Sequence, residues 1–504
     1  PFWLKRWPKP SSTQQLAGRS EPLGGSAMSK FRALFVSLAA AAARAHTGAV
    51  RQEQAFSIGR DELACGRSGE CFSSWMQVHA RPAAVAKQAE SAALPTSPSK
   101  EVGTKRLPKI YVYDLPAEVT FNGEKMVFRD DPTCEAMATG TEEDDTCVFG
   151  PHFNVSLAAS PAPLALRDVD QFQLGEILLF SLQRHPRRTH DPSEADLFFI
   201  PVIQDLAHRF PWNQQACYSA EALVQHLPHL RAENAKRHIW MSPGTAWTPF
   251  TCPAFDSQPS DPHPDNQLLA ATTKVALEDA VSAPREAFLD DWEVMYNVRT
   301  PPMASNLHSI PYPSFTSGLE AAQLEAFRAA SAVPRTRQNF VAAMWGMHGP
   351  SRSMDQRTEL QLQCNKSSDC IVLSLDGLRY ETNSEVVVFG SLDATFCLQP
   401  EGDTPSRKGM VDSILTGCIP VLFSPLQTKL WPWHIERWED IAIAMDGVPS
   451  DIMGRLSQVS TDEIERLRTN MLAVLPRLSY SLPGKPRPED ALETTLAAIL
   501  KLAQ

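Results

Sequence analysis

The chain has 504 residues, of which 43% are hydrophobic and 21% charged, a balance typical of a globular protein with two or three domains. Its formal net charge is −11 at pH 7, which argues against a general nucleic-acid-binding surface. Any site for an anionic ligand must therefore be a local basic pocket.

The N-terminal region has the order of a secretory signal peptide. Lys30 and Arg32 follow Met28, and an apolar run over 33–43 precedes a small-x-small site. This pattern predicts a signal peptide over residues 28–45. The apolar run is too short to cross a hydrocarbon layer of ~30 Å, so we expect cleavage, and an alanine-rich amphipathic or transit segment is the alternative.

Residues 46–106 alternate Ala, Ser, Gln and Pro, which predicts a largely disordered stem or linker. Ordered structure is predicted to begin with the strand-like run Lys109–Leu115, which Pro116 ends. The next elements alternate between helix and strand and predict an α/β layer architecture. They are a helix over 173–183, a strand over 197–202, a helix over 220–230 and a strand over 237–241.

The second half of the chain continues the alternation. A strand is predicted over 339–344 and a helix over 353–363. Three further apolar runs predict strands over 371–373, 395–398 and 419–423, and residues 488–503 predict a closing amphipathic helix.

The ten cysteines are even in number and several are close in sequence, as in oxidised secretory proteins. Asn154 and Asn365 each begin a glycosylation sequon, which agrees with a luminal location. Zinc is disfavoured because no Cys-x-x-Cys pair occurs. Cys397 and Cys418 are expected to be free core thiols, and the first disulfides to test are Cys65–Cys71, Cys134–Cys147 and Cys364–Cys370.

The run 396–423 reads as buried strand, polar loop, helix, tight turn and second buried strand. Unpaired N–H groups and the positive end of the helix dipole meet where the loop opens the helix. Ser406, Arg407 and Lys408 add a hydroxyl and two cations at that point. The combination predicts a phosphate-binding unit.

The same run resembles the signature of the exostosin-type glycosyltransferases, in which a Phe-Cys-Leu-x-Pro-x-Gly-Asp stretch precedes Gly-Cys-Ile-Pro-Val. Four other phrases, near 112–116, 188–202, 309–313 and 345–352, are also similar to the family, including its plant and algal cell-wall members. The resemblance implies an α/β, GT-B fold, with two Rossmann-like domains facing a cleft. Its parts would be an acceptor domain over 107–308, a nucleotide-sugar domain over 309–485 and a closing helix over 486–504.

By this resemblance the donor-binding residues lie in loops after two strands of the second domain. Arg352 is the candidate for a bidentate pyrophosphate contact, with an exposed loop arginine as the alternative. Asp412 is the candidate ribose acceptor, with an ion pair to Lys408 as the alternative. Many family members have an arginine at the position of Gly409, which leaves open the cation that meets the diphosphate. The full predicted set is Arg352, Gln399, Glu401, Gly402, Asp403, Thr404, Ser406, Arg407, Lys408 and Asp412.

An inverting transferase needs a general base, and the candidates are Asp205 and His208 after the strand 197–202, and Glu176 on the preceding helix. Asp168 and Asp170 have the spacing of a metal-binding Asp-x-Asp pair, but Arg167 and a following helical pattern favour a solvated helix start. We therefore expect no required metal or cofactor, and a UDP-sugar as donor substrate.

The resulting hypothesis is an inverting glycosyltransferase that moves a sugar from a UDP-sugar to a glycan hydroxyl in the Golgi or ER lumen. Membrane association and assembly with related transferases are left open, and no nucleic-acid partner is expected. The alternative is a catalytically inactive, exostosin-like glycan-binding or complex-partner protein.

Overall fold

Two parallel β-sheets organise the chain, as the alternation of helical and strand patterns predicts. In the computed structural model, all the residues described below belong to the compact unit Pro95–Gln504. The structure describes residues 107–116, 118–121, 124–127, 146–157, 160–203, 220–241, 264–279, 281–282, 306–333, 337–349, 351–376 and 384–504. The predicted signal peptide over 28–45 and stem over 46–106 lie outside these residues.

The strands and helices of the described part are numbered here in chain order. The strands are β1 Ile110–Val112, β2 Glu118–Phe121, β3 Glu124–Val127, β4 His152–Val155, β5 Leu164–Arg167, β6 Arg188–Thr189, β7 Leu197–Ile203, β8 His238–Met241, β9 Thr273–Ala276, β10 Leu307–Ser309, β11 Asn339–Trp345, β12 Cys370–Ser374, β13 Ala394–Gln399, β14 Ile419–Leu422 and β15 Ile443–Ala444. The α-helices are α1 Thr146–Phe149, α2 Leu174–Gln183, α3 Ala220–Val224, α4 Pro264–Ala270, α5 Ala321–Ala332, α6 Ser351–Cys364, α7 Ser384–Leu392, α8 Lys408–Thr416, α9 Ile452–Ser457, α10 Thr461–Val474 and α11 Ala491–Leu502.

The first sheet has six parallel strands in the order β10-β9-β8-β7-β1-β6. Its middle strands are buried on both faces, as in β8, where all four residues are buried. Strands with two covered faces are characteristic of parallel sheets flanked by helices. Two short antiparallel pairs, β2 with β3 and β4 with β5, lie outside this sheet.

The second sheet has five parallel strands in the order β12-β11-β13-β14-β15. The chain moves outward in one direction to β12 and then in the other direction from β13. The order therefore reverses between β11 and β13, and ligands of open α/β sheets bind in the crevice beyond the carboxyl ends at such a point. Both sheets are doubly wound, so the predicted α/β fold with two Rossmann-like domains is confirmed.

The predicted elements are found close to their predicted positions, with one clear difference. The helix predicted over 220–230 ends at Val224. Pro228 lacks an N–H group and disfavours helical geometry at the preceding residue, which explains the early end. Leu227 and Leu230 are nevertheless buried, at 1% and 2% exposure, so the apolar pattern reflected packing of the turn that follows the helix.

Two disulfides lie in the second half. Cys364–Cys370 joins the end of α6 to the start of β12, as predicted. Cys397 and Cys418, predicted to be free thiols, instead form a disulfide that links β13 to the residue before β14. The two strands pair directly, so buried cysteines at neighbouring positions come within bonding reach. Cys147 is also disulfide-bonded, and Cys65, Cys71 and Cys134 lie outside the described residues.

The closing helix α11 contacts both halves. Asp490 accepts a hydrogen bond from Glu493 N at 2.7 Å and caps the helix N-terminus. Glu493 then pairs with His185 and Arg187 of the first half. Within the described ranges, no helix is both long and apolar enough to cross a membrane.

Candidate functional site

A cavity of about 160 Å³ lies at the carboxyl ends of β11 and β13, where the strand order of the second sheet reverses. Two residues after β5 and one after β10 also line it, so both halves of the chain contribute. The lining residues are Gln171, Phe172, Tyr312, Met344, Gly346, His348, Arg357, Leu375, Val387, Gln399, Gly402, Asp403, Thr404, Ser406, Arg407, Lys408, Gly409 and Asp412.

The N-terminus of α8 opens onto this cavity. Arg407 is the N-cap residue, with extended backbone (φ −152°), and the helix runs from Lys408 to Thr416. It ends at Gly417 in the left-handed conformation (φ 69°), which favours glycine, and the chain turns directly into β14. The strand, loop, helix and turn predicted from the sequence thus bring the positive end of a helix dipole to the cavity.

Arg407 is the cation most directly placed for an anionic ligand. Its guanidinium donates to Met344 O at 3.1 Å, to Gln399 Oε1 at 3.3 Å and to Pro400 O at 3.4 Å. These partners are uncharged and lie at the ends of β11 and β13. Burial, together with the nearby Arg357, lowers the pKa of Arg407 to about 9.

Arg357, on α6, also lines the cavity, although the sequence did not single it out. It is 4% exposed and donates to the carbonyl groups of Gly346, His348 and Glu401. The guanidinium therefore joins the loops that follow β11 and β13. Its position inside an otherwise ordinary amphipathic helix gave no sequence signal.

Lys408 and Asp412 form the predicted alternative, a pair one turn apart on α8. Lys408 Nζ lies 3.2 Å from Asp412 Oδ2 and also donates to Ser384 Oγ at 3.0 Å. Ser314 of the segment between the two sheets donates to Asp412 as well. Lys408 and Asp412 both line the cavity. The ion pair does not test the ribose contact of Asp412, which stays a prediction.

The hydroxyl groups of Thr404 and Ser406 turn toward a carboxylate of the first half. Both donate to Glu278 Oε1, and Ser406 N donates to the same oxygen at 3.3 Å. The Tyr312 hydroxyl lies 2.9 Å from Ser406 Oγ. Glu278 has 0% exposure and follows β9, and nothing in the sequence indicated it.

Arg352 does not line the cavity, and neither does Glu401. Arg352 Nε lies 3.1 Å from Glu401 Oε2, and the Glu401 side chain is 1% exposed. Glu401 N donates to Gln356 Oε1 at 3.1 Å, so the carboxylate and its backbone are held against α6. These two residues, both predicted to bind the donor substrate, therefore form an ion pair with each other.

Gln399 ends β13, and its amide connects two parts of α8. It donates to Ser413 Oγ at 2.7 Å and accepts from Arg407. A Cβ at Gly409 would lie 3.0 Å from Gln399 Oε1, which is tighter than an ordinary contact. A side chain at position 409 would therefore compete with the Gln399 amide that supports Arg407.

Gly402 and Asp403 complete the predicted set at the cavity wall. Gly402 N donates to Thr404 O at 2.9 Å, which closes a tight loop. Burial raises the pKa of Asp403, while the nearby Arg357 and His348 oppose the shift. His348 lies 3.7 Å from Asp376, and burial lowers its pKa, with Arg357 adding to the effect.

The Asp168 and Asp170 pair is divided between two local roles. Asp168 Oδ1 accepts from Ser384 N at 2.9 Å and caps α7, and Asp170 Oδ1 accepts from Phe172 N at 2.7 Å. The expectation of a solvated helix start is wrong, because α2 begins at Leu174 and Asp168 caps a helix of the second half. In the described part of the chain, no group of three or more His, Cys, Asp or Glu side chains is arranged to hold a metal.

The candidate bases have two different outcomes. Asp205 and His208 lie outside the described residues, and their role stays a prediction. Glu176 lies on α2 with 9% exposure and does not line the cavity.

The comparison with protein families decides the class of this chain. The exostosin GT47 domain matches residues 104–446, which include both sheets and the cavity. The chain belongs to the exostosin GT47 family. Its family and the proteins similar to it identify the chain as a glycosyltransferase, as the resemblance in the signature run predicted.

Three similar proteins from Arabidopsis thaliana are named as xyloglucan galactosyltransferases, two of them as probable. It is 24% identical to probable xyloglucan galactosyltransferase GT17 over 351 residues, which cover 66% of this chain and 71% of that protein. It is 32% identical to probable xyloglucan galactosyltransferase GT13, covering 39% of this chain and 44% of that protein. It is 26% identical to xyloglucan galactosyltransferase MUR3, covering 41% of this chain and 35% of that protein. The matched parts thus span less than half of the latter two.

Two solved structures have lower similarity to this chain. One is Arabidopsis thaliana UGT89C1 complexed with UDP, with 14% identity, a TM-score of 0.28, and coverage of 65% of this chain and 78% of that one. The other is WaaG, a glycosyltransferase of lipopolysaccharide biosynthesis, with 12% identity, a TM-score of 0.26, and coverage of 66% and 96%.

Proposed function

We propose that this exostosin-family protein transfers a sugar from a UDP-sugar to a hydroxyl group of a glycan, with inversion at the anomeric carbon. The observation that supports it is the cavity at the reversal point of the second sheet, where Arg407 meets the N-terminus of α8. Helix N–H groups and a half-buried guanidinium are suited to the two negative charges of a diphosphate. The names of the relatives make UDP-galactose the first donor to test.

The reaction requires two kinds of group from the protein: a base for the acceptor proton and donors that stabilise the leaving UDP. The acceptor oxygen attacks the anomeric carbon, the bond from that carbon to the diphosphate oxygen breaks, and the acceptor proton passes to a base. Negative charge develops on the leaving UDP, and fixed donors placed there lower the barrier without reorganisation. Arg407, Arg357 and the first N–H groups of α8 supply these donors in our proposal.

The proton acceptor belongs to the first half, opposite the donor. Asp205 is our first candidate, with His208 second, because both come shortly after β7 in the sequence, and ligands of open α/β sheets bind beyond the carboxyl ends of the strands. Glu176 is the weakest candidate, since its side chain is buried on α2 away from the cavity. A positioned base of this kind contributes a factor of roughly 10²–10⁴ to rate.

We place the protein in the lumen of the Golgi or ER. The disulfides Cys364–Cys370 and Cys397–Cys418 support an oxidising compartment. Asn154 and Asn365, which begin the two sequons, are both exposed and accessible to glycosylation. Assembly with related transferases remains part of the proposal.

Calorimetric titration with UDP tests the proposal directly. We expect saturable binding by the wild-type protein, followed by turnover of at least one UDP-sugar in the presence of a glycan acceptor. Absence of binding by UDP and other nucleotides would exclude the nucleotide-sugar site. Binding without any turnover would favour the inactive glycan-binding alternative.

The same proposal predicts that activity does not depend on a divalent metal. Fixed cations at the diphosphate do the work that a metal ion does in other transferases. Activity should persist in excess chelator, and Asp168→Asn should affect stability more than turnover, because Asp168 caps α7. Loss of activity in chelator with recovery in manganese would contradict this assignment.

A further inference from the structure

A carboxylate from the first half is buried against the signature loop of the second. Glu278 follows β9 and has 0% exposure. The hydroxyl groups of Thr404 and Ser406, together with Ser406 N, all donate to its Oε1 atom. A buried carboxylate requires such donors, because desolvation otherwise makes its charge very costly.

These contacts fix the direction of the hydrogen bonds. Each hydroxyl group has a single proton, and both protons are donated to Glu278. The contact between Tyr312 and Ser406 must then run from the tyrosine hydroxyl to Ser406 Oγ. Thr404 and Ser406 line the cavity, and because their hydroxyl protons are donated to Glu278, their hydroxyl oxygens can act there only as acceptors.

An acceptor wall cannot bind phosphate oxygens, which are themselves acceptors at neutral pH. It can bind the hydroxyl groups of a sugar. The opposite character is found at Arg407, a donor-only group that lines the same cavity. The cavity is thus divided between a donor region for the diphosphate and an acceptor region.

We propose that Glu278 is a positioning residue that holds Thr404 and Ser406 as acceptors for hydroxyl groups of the donor sugar. This inference rests on the proposed function, and it revises the sequence expectation that Ser406 donates to phosphate. The neighbouring Tyr312 fits the scheme. Burial raises its pKa, and the negative charge of Glu278 adds to the effect, so the phenol keeps the proton that it donates.

The test compares UDP with UDP-galactose, because the two ligands share the diphosphate and differ in the sugar. Calorimetry on Thr404→Val, which keeps the shape and removes the acceptor, should show a three- to tenfold weaker affinity for UDP-galactose and less than a twofold change for UDP. Glu278→Ala should likewise lower the affinity for UDP-galactose more than the affinity for UDP. Arg407→Ala should lower the affinity for both ligands. If wild-type protein binds UDP but not UDP-galactose, the same titrations use the UDP-sugar that it turns over.

Asp279→Asn provides the matched control. Asp279 is also a buried carboxylate after β9, but it accepts from Ser309 at 2.7 Å and from Ser282, within its own half. We expect lower thermal stability and an unchanged ratio of the two affinities. Glu278→Gln should recover affinity for UDP-galactose relative to Glu278→Ala, because its amide oxygen can accept the same protons.

Two outcomes would overturn the inference while leaving the proposed function intact. One is an equal loss of UDP and UDP-galactose affinity in Thr404→Val, which would show that this wall faces the diphosphate. The other is unchanged affinity for both ligands in that variant. Failure of the wild type to bind UDP would instead refute the proposed function. If Glu278→Ala does not fold, Thr404→Val decides alone.

Discussion

At the scale of single residues, the cations near the cavity differ in how their charge is compensated. Lys408 is paired with Asp412, and Arg352 is paired with the buried Glu401. Arg407 donates to uncharged oxygen atoms, and its depressed pKa of about 9 reports burial without a nearby counter-charge strong enough to offset it. A diphosphate would supply that counter-charge.

Arg407→Ala should therefore weaken UDP binding by about ten- to a hundredfold, as expected for loss of a charge-assisted contact of about 1.5–3 kcal/mol. Arg352→Ala should mainly lower the melting temperature, because it leaves Glu401 buried without its cation. Calorimetry with UDP and thermal melts of both variants measure the two effects. A greater loss of UDP affinity in Arg352→Ala than in Arg407→Ala would restore the original assignment of Arg352.

At the scale of elements, the strands and helices around the site could be predicted because their patterns are local. The run 396–423 combines buried strands with a helix and a left-handed Gly417, and each of these has a sequence signal. Glu278 and Arg357 could not be predicted, because their roles depend on contacts made 128 and 44 residues away. The disulfide Cys397–Cys418 depends likewise on the pairing of β13 with β14.

Arg337 is an example of such a contact whose effect on stability can be measured. Its guanidinium donates to Ser391 O at 2.8 Å, to Thr416 O at 3.0 Å and to Gly417 O at 2.9 Å, at the C-terminal ends of α7 and α8. Helix ends leave carbonyl groups unpaired, and a cation there also complements the dipole.

Chemical denaturation of Arg337→Ala should show a loss of about 1.5–3 kcal/mol in the free energy of unfolding. Arg437→Ala is the control, because Arg437 is 63% exposed and forms only surface ion pairs, which contribute little. Equal losses in the two variants would mean that Arg337 does not support the helix ends.

At the scale of the whole molecule, α11 joins the two halves. Its Glu493 bonds His185 and Arg187 of the first half, while its first residue is held by the second half through His434. His434 Nε2 lies 3.0 Å from Ala491 O, so this nitrogen carries the proton of the neutral ring. The Nδ1 atom is buried and has no hydrogen-bond partner within the described part of the chain.

Acidification should therefore loosen the connection between α11 and the second half. Burial lowers the pKa of His434 to about 4, with Arg477 adding to the effect, whereas an unfolded histidine has a pKa of about 6.5. Between these two pKa values, the unfolded state thus binds a proton that the folded state does not bind. The contribution of this histidine to stability is complete above pH 6.5 and is lost as pH falls toward 4, with a slope of about 1.4 kcal/mol per pH unit.

Urea unfolding at several pH values between 7.5 and 4.5 measures this slope. His434→Gln keeps an amide N–H for Ala491 O but cannot gain a charge, so its stability should fall less steeply than that of the wild type. His238, whose pKa burial also lowers to about 4, remains in the variant and accounts for part of the residual slope. His190→Gln changes an exposed histidine and should leave the profile as it is. Identical slopes for wild type and His434→Gln would show that protonation of His434 does not limit the acid stability of the closing helix.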